Sequence, residues 1–298
     1  MKSFAIKYLK WIILLCLAVI WGSSFILMKK SLLVYSAIEL GALRMVFASV
    51  VMFPFAARGF RKIKAKQWYY LILFALLGSV LPAFLFAKAQ THISSSLAGI
   101  LNALTPIFVL IIGLIFYKLK VKIINITGLM MGLFGAMAII YSSNNGQVST
   151  QYEYAALILL ATIFYSININ VVKYKLADLD SISISVYGFG IVFLPMLLFL
   201  FAFTPFVATV QQPGAFQALI YPATLGLVCS AAAIIAFNTL IKMTSTIFAS
   251  SITYLIPVLA TIFGVLDGEK FNLWMALWIA IIIVGVLMVN TKKKVKLI

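Results

Sequence analysis

Acidic side chains are scarce in this sequence. Six of the 298 residues are Asp or Glu, whereas 23 are Lys or Arg. None of the six lies in the middle of a long apolar run, which is where a buried carboxylate would bind a cation or relay a proton. The sequence therefore lacks the carboxylate expected of a proton-coupled cation exporter. The six residues are Glu39, Glu153, Asp178, Asp180, Asp267 and Glu269.

Cysteine and histidine are rarer still. The two cysteines, Cys16 and Cys229, both fall inside apolar runs, and His92 is the single histidine. This excludes a disulfide framework and a metal site with recognisable ligand spacing. A P-loop, a dinucleotide-binding fingerprint, an HExxH motif and a nucleophile elbow are absent as well. The sequence thus predicts no enzyme, no resident metal and no cofactor.

Charged residues of either sign make up only 10% of the chain, while 64% is hydrophobic and the mean hydropathy is +1.16. A soluble domain of this size could not bury so much apolar side chain. A membrane-spanning helix needs about 20 apolar residues, so ten spans and their short loops nearly use up the sequence. The predicted fold class is an all-α integral membrane protein with ten transmembrane helices. The predicted spans are 11–29, 36–56, 68–90, 94–117, 124–141, 153–174, 182–204, 217–241, 246–266 and 272–290.

The net charge of +17 indicates membrane topology and not nucleic-acid binding, because the basic residues lie at the ends of apolar runs. Eighteen Lys and Arg residues fall on the side of the N-terminus; Lys29, Lys30, Lys88 and Lys270 fall on the other side, and Arg44 lies within a span. Cytoplasmic loops carry the excess of basic residues. We therefore expect a multi-pass protein of the cell (inner or plasma) membrane, with an uncleaved first helix and both termini in the cytoplasm.

One stretch of the sequence occurs twice. When the sequence is shifted by 151 residues, Ser94–Tyr117 lies over Ser245–Gly268, and the matched positions include Pro106 with Pro257 and Gly113 with Gly264. Each half holds five predicted spans, an odd number, so the second half must enter the membrane from the opposite side. The sequence therefore predicts two inverted five-helix repeats, 1–145 and 152–293, separated by the polar stretch 142–151. Inverted repeats are typical of transporters that work by alternating access.

Pro106 and Pro257 are predicted to break the repeated helices near their middles. Backbone groups freed by a proline inside a membrane are tolerated next to protein, polar side chains or a water-filled cavity. Two interpretations stay open for this pair. The helices are either kinked packing elements, or broken helices that line a path through the protein.

Polar and aromatic side chains within the spans are candidates for contact with a substrate. Some also have structural interpretations: Arg44 could pair with Glu39 or reach the membrane interface, and Lys88 could be an interfacial anchor. Asn102 could bond the carbonyl that Pro106 leaves unpaired. The candidates are Trp21, Ser24, Arg44, Lys88, Asn102, Tyr165, Asn168, Asn238 and Tyr254.

Two further patterns predict side chains that face inward. Asn168 and Asn170 are two residues apart, so they cannot share one helix face, and at least one should point to the interior. Gly128 and Gly132 form a GxxxG face, which allows close packing either within the protomer or in a homodimer.

The segment Trp21-Gly22-Ser23-Ser24-Phe25, Arg44 and the Pro-x6-Gly helices together resemble the EamA-type transporters of the drug/metabolite transporter superfamily. The resemblance covers essentially the whole chain. The second repeat follows the family pattern, in which a glutamate, here Glu269, comes after the proline helix, whereas the first repeat has Lys118 at that place. The resemblance implies ten helices around a central cavity and movement of small metabolites, often amino acids or related compounds and commonly outward.

The sequence thus predicts a secondary transporter, or permease, for a small-molecule substrate that is an amino acid or related carboxylate. Arg44 and Lys88 are the cations that could reach a cavity, and no carboxylate lies mid-span to hold a cationic substrate. The alternatives are an exporter of drug-like or cationic compounds, a channel-like facilitator using the same cavity, and a membrane scaffold or membrane enzyme.

Overall fold

The computed structural model describes residues 2–59, 63–93, 95–143, 152–266 and 273–289. The longer helical segments among these residues are labelled α1 to α10, and an interrupted segment keeps one label. The first five are α1 (Lys2–Leu32), α2 (Ala37–Val50, then Phe53–Gly59), α3 (Ala65–Ala89), α4 (Ser95–Asn102, then Thr105–Tyr117) and α5 (Ile123–Ser143). The second five are α6 (Tyr152–Tyr174), α7 (Ser181–Phe203), α8 (Ile220–Met243), α9 (Thr246–Ser250, then Ile252–Leu266) and α10 (Leu273–Val289).

Their lengths and composition suit a lipid environment. Five described helices have at least 18 residues and are apolar enough to cross a membrane, and four shorter apolar helices accompany them. The short helices Phe206–Val210 and Ala215–Ala218 connect α7 to α8. Glu269, the C-terminal lysines and most of the polar stretch that was predicted to separate the repeats lie outside the described residues.

Side-chain caps fix where α2 and α7 begin. Ser36 is the N-cap of α2: its hydroxyl accepts a hydrogen bond from the Glu39 backbone N–H at 3.2 Å, and Glu39 Oε2 accepts one from the Ser36 N–H at 2.8 Å. Asp180 is the N-cap of α7, where its carboxylate accepts bonds from the hydroxyl and backbone N–H of Ser183. These bonds, the one from the hydroxyl above all, lower the pKa of the Asp180 carboxyl.

The repeated proline helices differ between the two halves. In α4 the helix stops at Asn102 and restarts at Thr105, so Pro106 sits in the first turn of the second piece, where a missing N–H costs little. In α9 the interruption is at Ser251, and Pro257 lies inside the continuous helix Ile252–Leu266. The prediction of a break at Pro257 was therefore wrong, because a membrane helix can keep its course around a proline when its neighbours support it.

A single turn of π-helix occurs in both α3 and α8. The π-turns span Leu76–Val80 and Leu227–Ala232, and the shift of 151 residues places the first on the second. In the first turn, the N–H of Leu81 bonds the carbonyl of Leu76, five residues back. Such turns add one residue to a helix and are frequent at functional sites.

Contacts between helix ends show how the segments run. The starts of α1 and α9 meet where the Trp11 and Phe248 rings pack edge to face, with centroids 5.1 Å apart. The ends of α4 and α6 meet at the same end, where Tyr117 stacks on Tyr174 at 4.7 Å. Lys175 lies over the rings of Tyr70, near the start of α3, and of Tyr117. We call this the basic end, and the charge count predicts that it is cytoplasmic.

The glycine face of α5 packs inside the protomer. A Cβ at Gly128 would come within 2.7 Å of the Gly285 carbonyl on α10, and one at Gly132 within 2.5 Å of the Tyr254 ring on α9. Only glycine permits these approaches of backbone and ring. Of the two predicted possibilities, the structure uses this face for packing of α5 on α9 and α10.

Candidate functional site

A cavity lies between the two halves, with contributions from α1, α2, α3, α4, α6, α8 and α9. The space not filled by protein atoms is about 950 Å³, including the part that is open to the outside. Seven of the nine predicted candidates line it: Trp21, Ser24, Arg44, Asn102, Tyr165, Asn168 and Asn238.

Arg44 supplies the positive charge of the cavity. It is half-buried on α2, and its Nε donates a hydrogen bond to the Ser230 hydroxyl in the π-turn of α8 at 2.8 Å. Tyr165 and Cys229 line the same cavity. No carboxylate among the described residues forms an ion pair with it.

Glu39, the predicted partner of Arg44, binds other groups. Glu39 is buried at the start of α2, where Oε2 completes the N-terminal cap and Oε1 accepts a hydrogen bond from the Thr209 hydroxyl at 2.7 Å. Pairing of Arg44 with Glu39 is therefore not observed. The guanidinium therefore has the Ser230 hydroxyl as a partner and no carboxylate partner among the described residues.

The aromatic wall of the cavity is fixed to the π-turn of α8. Trp21 Nε1 donates a hydrogen bond to the Cys229 carbonyl at 2.9 Å, and its ring packs edge to face on Phe237 at 5.0 Å. Ser24, one turn further along α1, donates its hydroxyl to the Trp21 carbonyl at 2.7 Å. Tyr165 packs near Phe86, with ring centroids 6.1 Å apart. The wall thus combines apolar surface with oriented polar groups.

Helix α6 presents different polar residues to different neighbours. Ser166 and Asn170 donate hydrogen bonds to the carbonyls of Thr105 and Val109 in α4, at 3.1 and 3.2 Å. Asn168 lies on another face and lines the cavity. The geometry agrees with the expectation that the two asparagines cannot share a face, and it identifies Asn168 as the one at the cavity.

The break in α4 is satisfied by a neighbouring hydroxyl. Pro106 cannot donate to the carbonyl of Asn102, four residues earlier. Thr105 Oγ1 donates to that carbonyl at 2.6 Å, so the Asn102 side chain is not needed for this task and lies at the cavity instead. In α8, Asn238 also lines the cavity, while its Nδ2 donates to Ser185 Oγ on α7 at 2.9 Å.

Two predicted candidates do not line the cavity. Lys88 is exposed in the last turn of α3, where a long charged side chain is most easily solvated. Tyr254 is fully buried against Gly132, because it fills the gap that the glycine leaves between α5 and α9. Neither side chain is placed to touch a molecule in the cavity.

Sequence reasoning missed several polar cavity residues. They are Ser79, Thr105, Ser230 and Ser250. A signal for two of them was present, since the shift of 151 residues that matches the proline helices also places Ser79 on Ser230. Within otherwise apolar spans, a serine repeated at the same position of both halves marks these two turns.

The described residues form helices, with a π-turn in each half and one cation without a carboxylate partner at the cavity between the halves. This is the architecture of a multi-pass membrane transporter. The chain matches the model of the EamA-like transporter family twice, over residues 9–141 and 153–291. It belongs to this family, which confirms the predicted fold class of a membrane protein with an inverted repeat. The two matched ranges fall within the predicted repeats 1–145 and 152–293, whose bounds stay a prediction.

Individual relatives agree with the family. Over 131 residues the chain is 30% identical to an uncharacterized transporter of Archaeoglobus fulgidus, a match that covers 44% of this chain and 47% of that protein. It is 23% identical to a WAT1-related chloroplast protein of Arabidopsis thaliana over 303 residues, 95% of this chain and 70% of the relative. A solved crystal structure matches with a TM-score of 0.70 at 16% identity, covering 93% of this chain and 94% of the other. The last likeness concerns the fold alone.

Proposed function

We propose that this protein is a secondary transporter that exports a small metabolite with a carboxylate group, such as an amino acid or a related acid, across the cell membrane. The observation that carries the proposal is Arg44, a half-buried guanidinium at the cavity with no carboxylate partner among the described residues. An unpaired charge at membrane depth is unfavourable. A substrate carboxylate would supply the counter-charge through charge-assisted hydrogen bonds, which are stronger than neutral ones.

The remaining cavity residues suit such a substrate. Asn102, Asn168 and Asn238 offer neutral hydrogen-bonding groups, and Trp21 and Tyr165 offer apolar surface. The described lining holds no carboxylate that would favour a cationic compound. An exporter of lipophilic cations is therefore the second candidate, supported only by the aromatic rings.

The inverted repeat supports alternating access as the mechanism. In such proteins the two related halves rock about a site near the middle of the membrane. At the basic end the rings of Trp11 and Phe248 pack together, as do those of Tyr117 and Tyr174. In our proposal these contacts, at the cytoplasmic end of the cavity, separate when the substrate enters from the cytoplasm.

Counterflow in proteoliposomes tests the proposal. Vesicles containing the full-length protein are loaded with one unlabelled compound at millimolar concentration, and uptake of the same compound in labelled form is followed. The panel contains amino acids, 2-hydroxy acids, simple monocarboxylates and tetraphenylphosphonium. We expect saturable, trans-stimulated uptake of at least one carboxylate and none of tetraphenylphosphonium. Non-saturable flux without trans-stimulation would indicate a channel, and transport of the cation alone would contradict the proposal.

A further inference from the structure

Ser79 and Ser230 occupy the same position in the two π-turns but have different surroundings. Ser230 Oγ accepts the bond from Arg44 Nε at 2.8 Å and donates to the Leu225 carbonyl at 3.0 Å. Ser79 is 6% exposed, and its Oγ makes no hydrogen bond within the described part of the chain. The same hydroxyl is therefore saturated in one half and unpaired in the other.

The register of α2 and α7 explains this asymmetry. Arg44 follows the α2 cap at Ser36 by eight residues, and Gly188 follows the α7 cap at Asp180 by eight residues. A side chain at Gly188 would overlap the ring of Phe74 on α3. Counted from the caps, α7 thus has a glycine where α2 has its arginine, and no described cation hydrogen-bonds to Ser79.

A second unpaired polar atom belongs to a residue that packs against Gly78, which precedes Ser79 in the chain. Asn168 on α6 is also 6% exposed, and its buried Oδ1 has no hydrogen-bond partner in the chain as described. Its amide rests directly on the backbone of Gly78, because a Cβ at that residue would overlap Asn168 Nδ2. Gly78, Ser79 and Asn168 all line the cavity. Buried polar atoms without a partner are unfavourable, so a ligand that pairs with them gains binding energy.

We propose that Ser79 and Asn168 form a second subsite of the cavity, which binds a hydrogen-bond-donating amino or hydroxyl substituent of the substrate. The inference rests on the proposed function, in which Arg44 binds the carboxylate of the same molecule. An amide oxygen can only accept a hydrogen bond, while a serine hydroxyl can accept or donate. The group that satisfies both has to donate, and because the subsite is uncharged it accommodates a hydroxyl as well as an ammonium.

Binding of three acids with one carbon skeleton tests the subsite. The probes are leucine, 2-hydroxy-4-methylpentanoate and 4-methylpentanoate, with a parallel set built on 3-phenylpropanoate. The dissociation constant of each is measured by titration calorimetry on the purified full-length protein in detergent. We expect both substituted acids to bind about tenfold more tightly than the unsubstituted acid, since they alone satisfy the buried acceptors.

Variants separate the subsite from the rest of the cavity. Ser79→Ala and Asn168→Leu should each reduce this ratio towards one, because each variant leaves the substituent only one of its two acceptors. Ser23→Ala, a serine of α1 that does not line the cavity, should keep the wild-type ratio. Ser79→Ala removes a single buried oxygen, so it keeps the test valid if Asn168→Leu does not fold.

Two negative results have distinct meanings. If all three acids of a set bind wild-type protein equally, and Arg44→Gln weakens all of them, the subsite is wrong and the proposed function survives. If no acid of either set binds wild-type protein, the carboxylate function is overturned together with the subsite that rests on it. An unchanged ratio in Ser79→Ala also overturns the subsite.

Discussion

Lys173 and Lys242 each bind the end of the other's helix. Lys173 Nζ, in the last turn of α6, donates to the carbonyls of Ile241 and Thr244 at the end of α8, at 2.8 and 2.5 Å. Lys242 Nζ, in the last turn of α8, donates to the carbonyl of Leu176 just beyond α6 at 3.1 Å. Cations at helix C-termini satisfy carbonyls that have no partner within the helix. This reciprocal lysine clamp holds the basic end of the second half together.

Removal of the clamp should loosen that end. We expect Lys173→Met to lower the free energy of unfolding by about 1.5–3 kcal/mol, the value of a hydrogen bond to a charged group. The measurement is the thermal unfolding temperature of purified protein in one detergent. Lys66→Met is the matched control, because Lys66 is exposed at the same end and forms no hydrogen bond within the described residues. Equal unfolding temperatures for the two variants would show that the clamp does not stabilise the fold.

The glycine face of α5 predicts a severe packing defect. Gly132→Leu should reduce the folded yield and the unfolding temperature, because any side chain there meets the ring of Tyr254. Met130→Leu, on the same helix but 54% exposed, should behave like wild type. Size-exclusion chromatography after membrane extraction measures the yield. Wild-type yield for Gly132→Leu would mean that α5 does not pack on α9 as described.

The charge distribution predicts which loops face the cytoplasm. Leu33 lies between α1 and α2 with 85% of its surface exposed, and Ala177 is exposed between α6 and α7. In a Cys16→Ser, Cys229→Ser background, a membrane-impermeant maleimide added to intact cells should label Leu33→Cys and leave Ala177→Cys unlabelled. Ala177→Cys should react once the cells are opened. The reverse pattern in intact cells would place both termini outside.

Much of the fold could be predicted because membrane helices are long apolar runs. The 151-residue shift predicted the repeat. Polarity within the spans predicted Arg44, Asn102 and Asn168 as substrate contacts, and these three residues line one cavity. These residues could be recognised because a polar side chain within a span faces the interior of the protein and avoids lipid.

The remaining features depend on contacts that the pattern of apolar residues does not encode. Hydropathy does not depend on whether backbone hydrogen bonds join residues four or five positions apart. It therefore did not predict the π-turns at Ser79 and Ser230. Glu39 finds its partner in Thr209, 170 residues away, which freed Arg44 for the cavity. Lys88 was predicted to reach the cavity but lies outside it. Which side of a helix end faces water depends on how neighbouring helices pack.

The most direct test of the central claim compares Arg44→Gln with Lys88→Gln in counterflow of whichever carboxylate the wild-type protein transports. Loss of a charge-assisted hydrogen bond of about 1.5–3 kcal/mol should raise the apparent KM of Arg44→Gln roughly 10- to 150-fold. The apparent KM of Lys88→Gln should be unchanged, because Lys88 is exposed outside the cavity. Both proteins are first shown to be folded by size-exclusion chromatography. A wild-type KM for folded Arg44→Gln would contradict the account.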